Sequence, residues 1–315
     1  MKYYAVFWAL FWIASIALAQ SVSTTYVTDV NGNRVAASSV VSTDGVHTQL
    51  SQNLNGRIVP LEQTDEKVLS KDANGSVTER IVRKYDRSGQ LTQTQRILIE
   101  ERTEAGGFTR QSTMYATDVN GEMHETEHQT VESHTENGTT SMQTVIERPT
   151  INGSLQPVEK RSAVTETGKD VSRQDETIYR LSPNGAFYPA VREVKDETKR
   201  GNETVVKSAM YEPIATSAQM QLSRQSVATT TTAADGSEVT RIDYYAPSAP
   251  GVVQGSGLSP QLYEQDVVMR TKAPDGSVVE TTSASRSSVS DPGRLGSPQK
   301  ISETICTGKC DPAKP

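Results

Sequence analysis

The sequence predicts an all-β fold: a long antiparallel β-meander built from tandem hairpin units of 32 residues. Three observations predict it. Turns of the Asp-x-Asn-Gly kind recur, and Gly89, Gly121, Gly153 and Gly185 each follow the last by 32 residues. Asn and Gly tolerate positive φ, so such turns fit tight hairpin loops. A second turn series lies midway, through Asp44-Gly45, Asn74-Gly75, Gly106-Gly107, Asn137-Gly138, Thr167-Gly168, Arg200-Gly201 and Asp235-Gly236. The stretches between are rich in Thr and β-branched residues, as strands are. Internal periods of this length mark arrays, solenoids or propellers.

The flanks keep the same register. Tyr26, Tyr115, Tyr179, Tyr211 and Tyr245 stand six residues before the turn Gly or its equivalent. Met114, Ile146, Ile178 and Met210 precede them by one place, and Leu91, Met123, Leu155 and Phe187 follow the Gly by two. Pro60, Pro157 and Pro189 recur four places after the Gly. Proline interrupts a strand ladder, so its recurrence predicts a bulge or kink that bends each hairpin alike. A two-residue loop puts the Met/Ile row and the Leu/Met/Phe row on one face. A three-residue loop places Tyr115 and Tyr179 with the second row instead.

In chain order, residues 1–19 read as a signal peptide. Lys2 precedes an apolar run, and Ala17-Leu-Ala19 fits a cleavage site before Gln20. An uncleaved anchor is the alternative. Residues 20–25 are a polar leader. The array spans 26–245, opening with a shortened unit up to Gly56. Gly32 and Gly56 extend the turn series at less regular spacing. Within the array Leu91–Arg102 also contains good helix formers, but the register of its neighbours predicts a strand. Residues 246–260 are a Pro/Gly/Ser loop, and 261–315 hold a terminal hairpin around Asp275-Gly276 and a tail.

Composition limits the function classes. Both Trp lie in residues 1–19, and without that segment the apolar share falls to about 30%; ordinary globular chains have ~45–50%. So few apolar residues predict strand middles wetted on both faces. Setting Lys2 aside leaves 31 Lys+Arg against 38 Asp+Glu, with the signs mixed. No basic face suggests nucleic acid. The mature chain has no long apolar helix, and from this no membrane insertion is expected after signal cleavage. The first-choice architecture is an open or strongly twisted sheet, with a closed barrel, a propeller and a β-solenoid as alternatives.

Candidate chemistry is sparse. Cys306 and Cys310 are the only cysteines, and in an exported chain they suggest a local disulfide. His124, His128 and His134 lie in one strand with Glu125, Glu127 and Glu132. Strand residues four apart are ~13 Å from each other, so solvated side chains are expected rather than a metal site. Asp29-Val-Asn-Gly32, Asp72-Ala-Asn-Gly75 and Asp118-Val-Asn-Gly121 echo calcium loops but lack their later ligands. Asn74, Asn137, Asn152 and Asn202 head Asn-x-Ser/Thr triplets at turns. No nucleophile elbow, phosphate loop, dinucleotide fingerprint or His-Glu-x-x-His is present. Ser297-Pro-Gln-Lys300 matches Ser-x-x-Lys without its companion motifs. No cofactor is implied.

The Tyr-x-x-Asp-x-Asn-Gly units and the ending Ile301–Cys310 resemble uncharacterised bacterial secreted repeat proteins. Tyr85-Asp86-Arg-Ser-Gly89 is similar to the shorter Tyr-Asp repeats of large secreted toxin shells. Neither resemblance implies an activity. Together the observations predict a non-enzymatic structural or surface protein, secreted or periplasmic. A glycan- or protein-binding module using the Tyr rows is the alternative, with a hydrolase more remote. The expected partners are an envelope protein or a glycan.

Overall fold

The computed structural model describes residues 20–28, 33–43, 46–214, 219–246, 260–288 and 291–308. Residues 1–19, expected as a signal peptide, and Gly32, Asp44-Gly45, most of the 246–260 loop and Cys310 lie outside the described residues.

The strands are β1 (Gln20–Thr28), β2 (Arg34–Thr43), β3 (His47–Leu54), β4 (Arg57–Lys71), β5 (Gly75–Tyr85), β6 (Leu91–Glu104), β7 (Gly107–Thr117), β8 (Met123–Glu136), β9 (Thr139–Pro149), β10 (Leu155–Thr167), β11 (Val171–Leu181), β12 (Phe187–Arg200), β13 (Glu203–Pro213), β14 (Met220–Thr232), β15 (Glu238–Ala246), β16 (Gln261–Lys272), β17 (Val278–Ser288), β18 (Asp291–Leu295) and β19 (Gln299–Gly308). The all-β antiparallel meander is as expected, and Leu91–Arg102 is strand.

Each strand up to β17 pairs antiparallel with its successor, β17 pairs with β19, and β19 pairs with β1. An 18-strand ring therefore closes, with β18 a short addition beside β17. The open sheet expected as first choice is corrected to a closed barrel, one of the alternatives. Two causes stand in the register. An open meander of long strands leaves two bare edges, and closure removes both. And every hairpin on one rim carries a bulge in its second strand, where one residue is unopposed.

The unopposed residues include Leu61, Thr126, Val158, Ala190 and Ser223. Leu61, Val158 and Ala190 directly follow Pro60, Pro157 and Pro189. The recurrent Pro thus marks a bulge, as expected. A bulge bends its strand and raises the local twist. Repeated on one rim at one height, it coils the sheet until the ends meet.

The upper rim carries Gly56, Gly89, Gly121, Gly153 and Gly185. Its typical turn is Asp118–Glu122. Gly121 N–H donates to the Asp118 carbonyl at 3.1 Å, and Asp118 N–H donates to the Glu122 carbonyl at 2.9 Å. Gly121 has φ +84°. The loop is therefore three residues long, and Asp118 Oδ1 accepts further hydrogen bonds from the amides of Asn120 and Glu122. This resolves the two loop alternatives: Tyr115 shares a face with Met123, and Tyr179 with Phe187. Gly56 differs, closing a two-residue Asn55-Gly56 loop between Leu54 and Arg57. The lower rim uses tight turns such as Asn137-Gly138, where both residues have positive φ.

One face keeps its parity around the whole ring. It holds Val59, Val82, Ala116, Thr144, Ile146, Ala163 and Ala284, seven of the ten buried residues among those described. Side chains converge on the concave side of a closed wall, so this face lines the lumen. Among the described residues there is no thick apolar core, and most strand residues on both faces are half-buried. Ladder hydrogen bonds and cross-strand pairs, each pair worth about 0.2–1 kcal/mol, carry the wall.

Candidate functional site

The candidate site is the barrel wall itself, read from its two faces and two rims. On the lumen side, β4–β8 line a recess of about 440 Å³ that includes Arg80, Ile97, Glu101, Arg110, Ser112 and Met114. Its charges are paired: Arg80 with Glu66 at 2.7 Å, Arg110 with Glu101 at 2.5 Å and Arg148 with Glu127 at 3.0 Å. Across the lumen wall Arg286 meets Glu264 at 2.9 Å. Beside it Asp266 Oδ1 is buried without a hydrogen-bond partner. Burial, then the Glu264 charge, push the Asp266 carboxyl above the usual range, and burial raises the Tyr244 phenol.

The outward face is also charged over its middle and lower parts. Arg96 pairs with Glu79 at 2.6 Å and Arg192 with Asp175 at 2.5 Å. Asp65 accepts from His47 at 2.7 Å and from Arg83. Those two hydrogen bonds, His47 first, hold its carboxyl below the ordinary range. Towards the upper rim the character changes. Tyr179, Leu181, Phe187, Pro189, Tyr211 and Leu222 share the outward face there.

Cys306 lies on β19 opposite Val278 and is disulfide-bonded; Cys310, the only other cysteine, lies outside the described residues. The three histidines do not converge. The unopposed Thr126 switches parity, so His124 and His128 fall on opposite faces despite their even spacing. His128 contacts Thr113 at 3.2 Å on the outward face. His124 instead meets two acids that the sequence did not connect to it, Asp118 at 3.3 Å and Glu122 at 3.8 Å. All three are exposed, and the contacts are those of a rim ion pair. Lys300 of the Ser-x-x-Lys match is ion-paired with Glu303 on the outward face. Asn74, Asn137, Asn152 and Asn202 sit at or beside turns.

Fold and faces together define a class: a closed β-barrel with polar inner and outer walls. No protein family matches the sequence, and no curated protein does. Among solved structures the chain is similar to a mutant form of the Rh. blastica porin, at 7% identity and TM-score 0.53, covering 92% of this chain and 99% of that one. It is also similar to a loop-deleted OmpT, an outer membrane protein of Vibrio cholerae, at 10% identity and TM-score 0.51, covering 91% of this chain and 96% of that one. At such identities the likeness is one of fold.

The expectation of no membrane insertion is overturned by this architecture. It rested on the lack of an apolar helix, and no helix among the described residues is long and apolar enough to cross a membrane. A closed barrel needs none: its backbone is satisfied around the ring, and barrels that enter lipid cross it with strands.

Proposed function

We propose that the chain is an exported, non-enzymatic barrel of the cell envelope, whose lumen admits water and small hydrophilic solutes. The observation that carries this reading is the pairing of β19 with β1 around a polar, ion-paired inner face. Barrels of 16–18 strands enclose an aqueous channel when nothing plugs them. The matched ion pairs on the wall favour neutral or zwitterionic solutes over ions of one sign. The reading as a structural envelope component fits export and the lack of a catalytic motif in the sequence.

The test is size-graded access to the lumen. Ser112, on the recess wall, is replaced as Ser112→Cys and treated with a small hydrophilic maleimide and with one bearing a bulky polymer. Fast labelling by the small reagent and at least tenfold slower labelling by the large one is the expected result. Equal rates for both, or no reaction with either, would overturn the lumen reading. Turnover of a glycoside, ester or peptide that stays with the chain through repeated purification would overturn the non-enzymatic part.

A further inference from the structure

Asn-Gly pairs make many of the turns of this barrel, and the same pair lets a backbone attack its own side chain. The Gly nitrogen is the attacking atom, and with no Cβ the residue leaves its approach open. Six of the seven Asn-Gly pairs in the sequence lie among the described residues. In five of these the Gly N–H is tied. Gly56 donates to Asn53 Oδ1 and Gly75 to Asp72 Oδ1, both at 2.8 Å. Gly121, Gly153 and Gly185 donate to the carbonyls of Asp118, Thr150 and Ser182 at 3.1, 2.9 and 2.9 Å. Only the Gly138 N–H has no acceptor among the described residues.

The cause is local. Asn55-Gly56 and Asn137-Gly138 are the same two-residue turn, with φ +53° and +86° in one and +51° and +80° in the other. Two places before the Asn stands Asn53 in the first and Thr135 in the second. Asn53 caps its turn. The Thr135 hydroxyl is engaged with Thr140 Oγ1 at 2.9 Å instead, so the second turn is uncapped. Asn137 and Gly138 are both exposed, within reach of water and hydroxide.

We propose that Asn137 is a self-modification site, at which the exported chain converts asparagine to aspartate and isoaspartate. The Gly138 nitrogen gives its proton to hydroxide and bonds to Asn137 Cγ. The Cγ–Nδ2 bond breaks, and that nitrogen takes a proton from water and leaves as ammonia. Water then opens the cyclic imide. Attack at Cγ leaves an aspartyl peptide, and attack at the main-chain carbonyl leaves an isoaspartyl one. One water is consumed and one ammonia released, with no oxidant or reductant. Either product places a carboxylate in a lower-rim turn that borders the same recess as Glu166 and Asp196. The isoaspartyl product also adds a backbone atom to a loop whose Gly138 carbonyl accepts the Thr167 N–H of the next hairpin at 3.0 Å. The modification thus loosens a joint between neighbouring hairpins, whatever the lumen admits.

The test is incubation of the folded protein at mildly alkaline pH, with the mass of each Asn-Gly peptide followed over time. A hydrogen bond of ordinary strength corresponds to roughly two- to tenfold in a rate. Asn137 is expected to convert at least fivefold faster than Asn55, Asn74, Asn120, Asn152 and Asn184, and the six rates are expected to converge in denaturant. Asn53→Ala frees the Gly56 N–H and should raise the Asn55 rate to that of Asn137. Asn53→Asp, which keeps an acceptor, should leave it unchanged. Circular dichroism identifies a variant that has failed to fold, and the comparison of sites within the parent protein then decides alone. Equal rates in the folded protein, or a lead at any of the five tied sites, would overturn the proposal. So would a lead for Asn137 that persists in denaturant, or a folded Asn53→Ala protein without acceleration at Asn55.

Discussion

Two aspartates show how one residue type acts with opposite sign on the two faces of the wall. Asp65 is held below its ordinary range by His47 and Arg83. Its folded pKa therefore lies under the unfolded value of ~3.9, so its stabilisation is present above that value and lost as pH falls through the folded one. Asp266 is pushed the other way by burial and by Glu264. Its contribution is intact below the unfolded pKa and declines as pH rises through the raised folded one. At pH 7, Asp65→Asn is expected to destabilise by about 0.5–1 kcal/mol, the range of a partly exposed ion pair. Asp266→Asn is expected to stabilise by about 1 kcal/mol, because it removes a charge from a site with an unsatisfied oxygen. Both differences should shrink in denaturant titrations towards pH 3. Neither sign could be read in the sequence. The partners of Asp65 are 18 residues away in either direction, and Tyr244 and Arg286, which face Asp266, are 22 and 20 residues from it along the chain.

At the scale of the hairpin, much was legible. The Asx-Gly turns, the strands between them and the bulge after Pro157 or Pro189 all follow from local chemistry: positive φ, β-branching and a missing N–H. What local chemistry left open was loop length, and with it the faces of the tyrosines. A three-residue turn and a two-residue turn share the same Asn-Gly signal, and the hydrogen bonds of Asp118 decide between them. The faces of the histidines, expected as solvated side chains rather than a metal site, depend on the same detail. Counting by twos fails across a bulge, so His124 and His128 part company at Thr126. The bulge residue is the element-scale determinant of curvature. Deleting Val158 is expected to shift the rimward part of β10 by one place and turn Leu155 and Pro157 towards the lumen. It should lower the chemical denaturation midpoint well beyond Pro157→Thr, which keeps the extra residue and is expected to cost under about 1 kcal/mol.

At the scale of the whole molecule, closure was not legible. Each hairpin carries a small bend, and only the sum over nine bulged upper-rim hairpins decides whether the ends meet or miss. The expectation of no membrane insertion failed at this scale too, because it searched for a helix where the chain offers a ring.

Ser21 sits opposite Gly308, so the first and last described strands are neighbours at the lower rim. The order in which the strands are synthesised is therefore incidental to the finished wall. A circular permutant that links the region after Gly308 to the start of β1 and begins anew at Gly138 would keep every bulged hairpin whole. It is expected to give the parent's far-UV spectrum and hydrodynamic radius, since a hoop has no first stave.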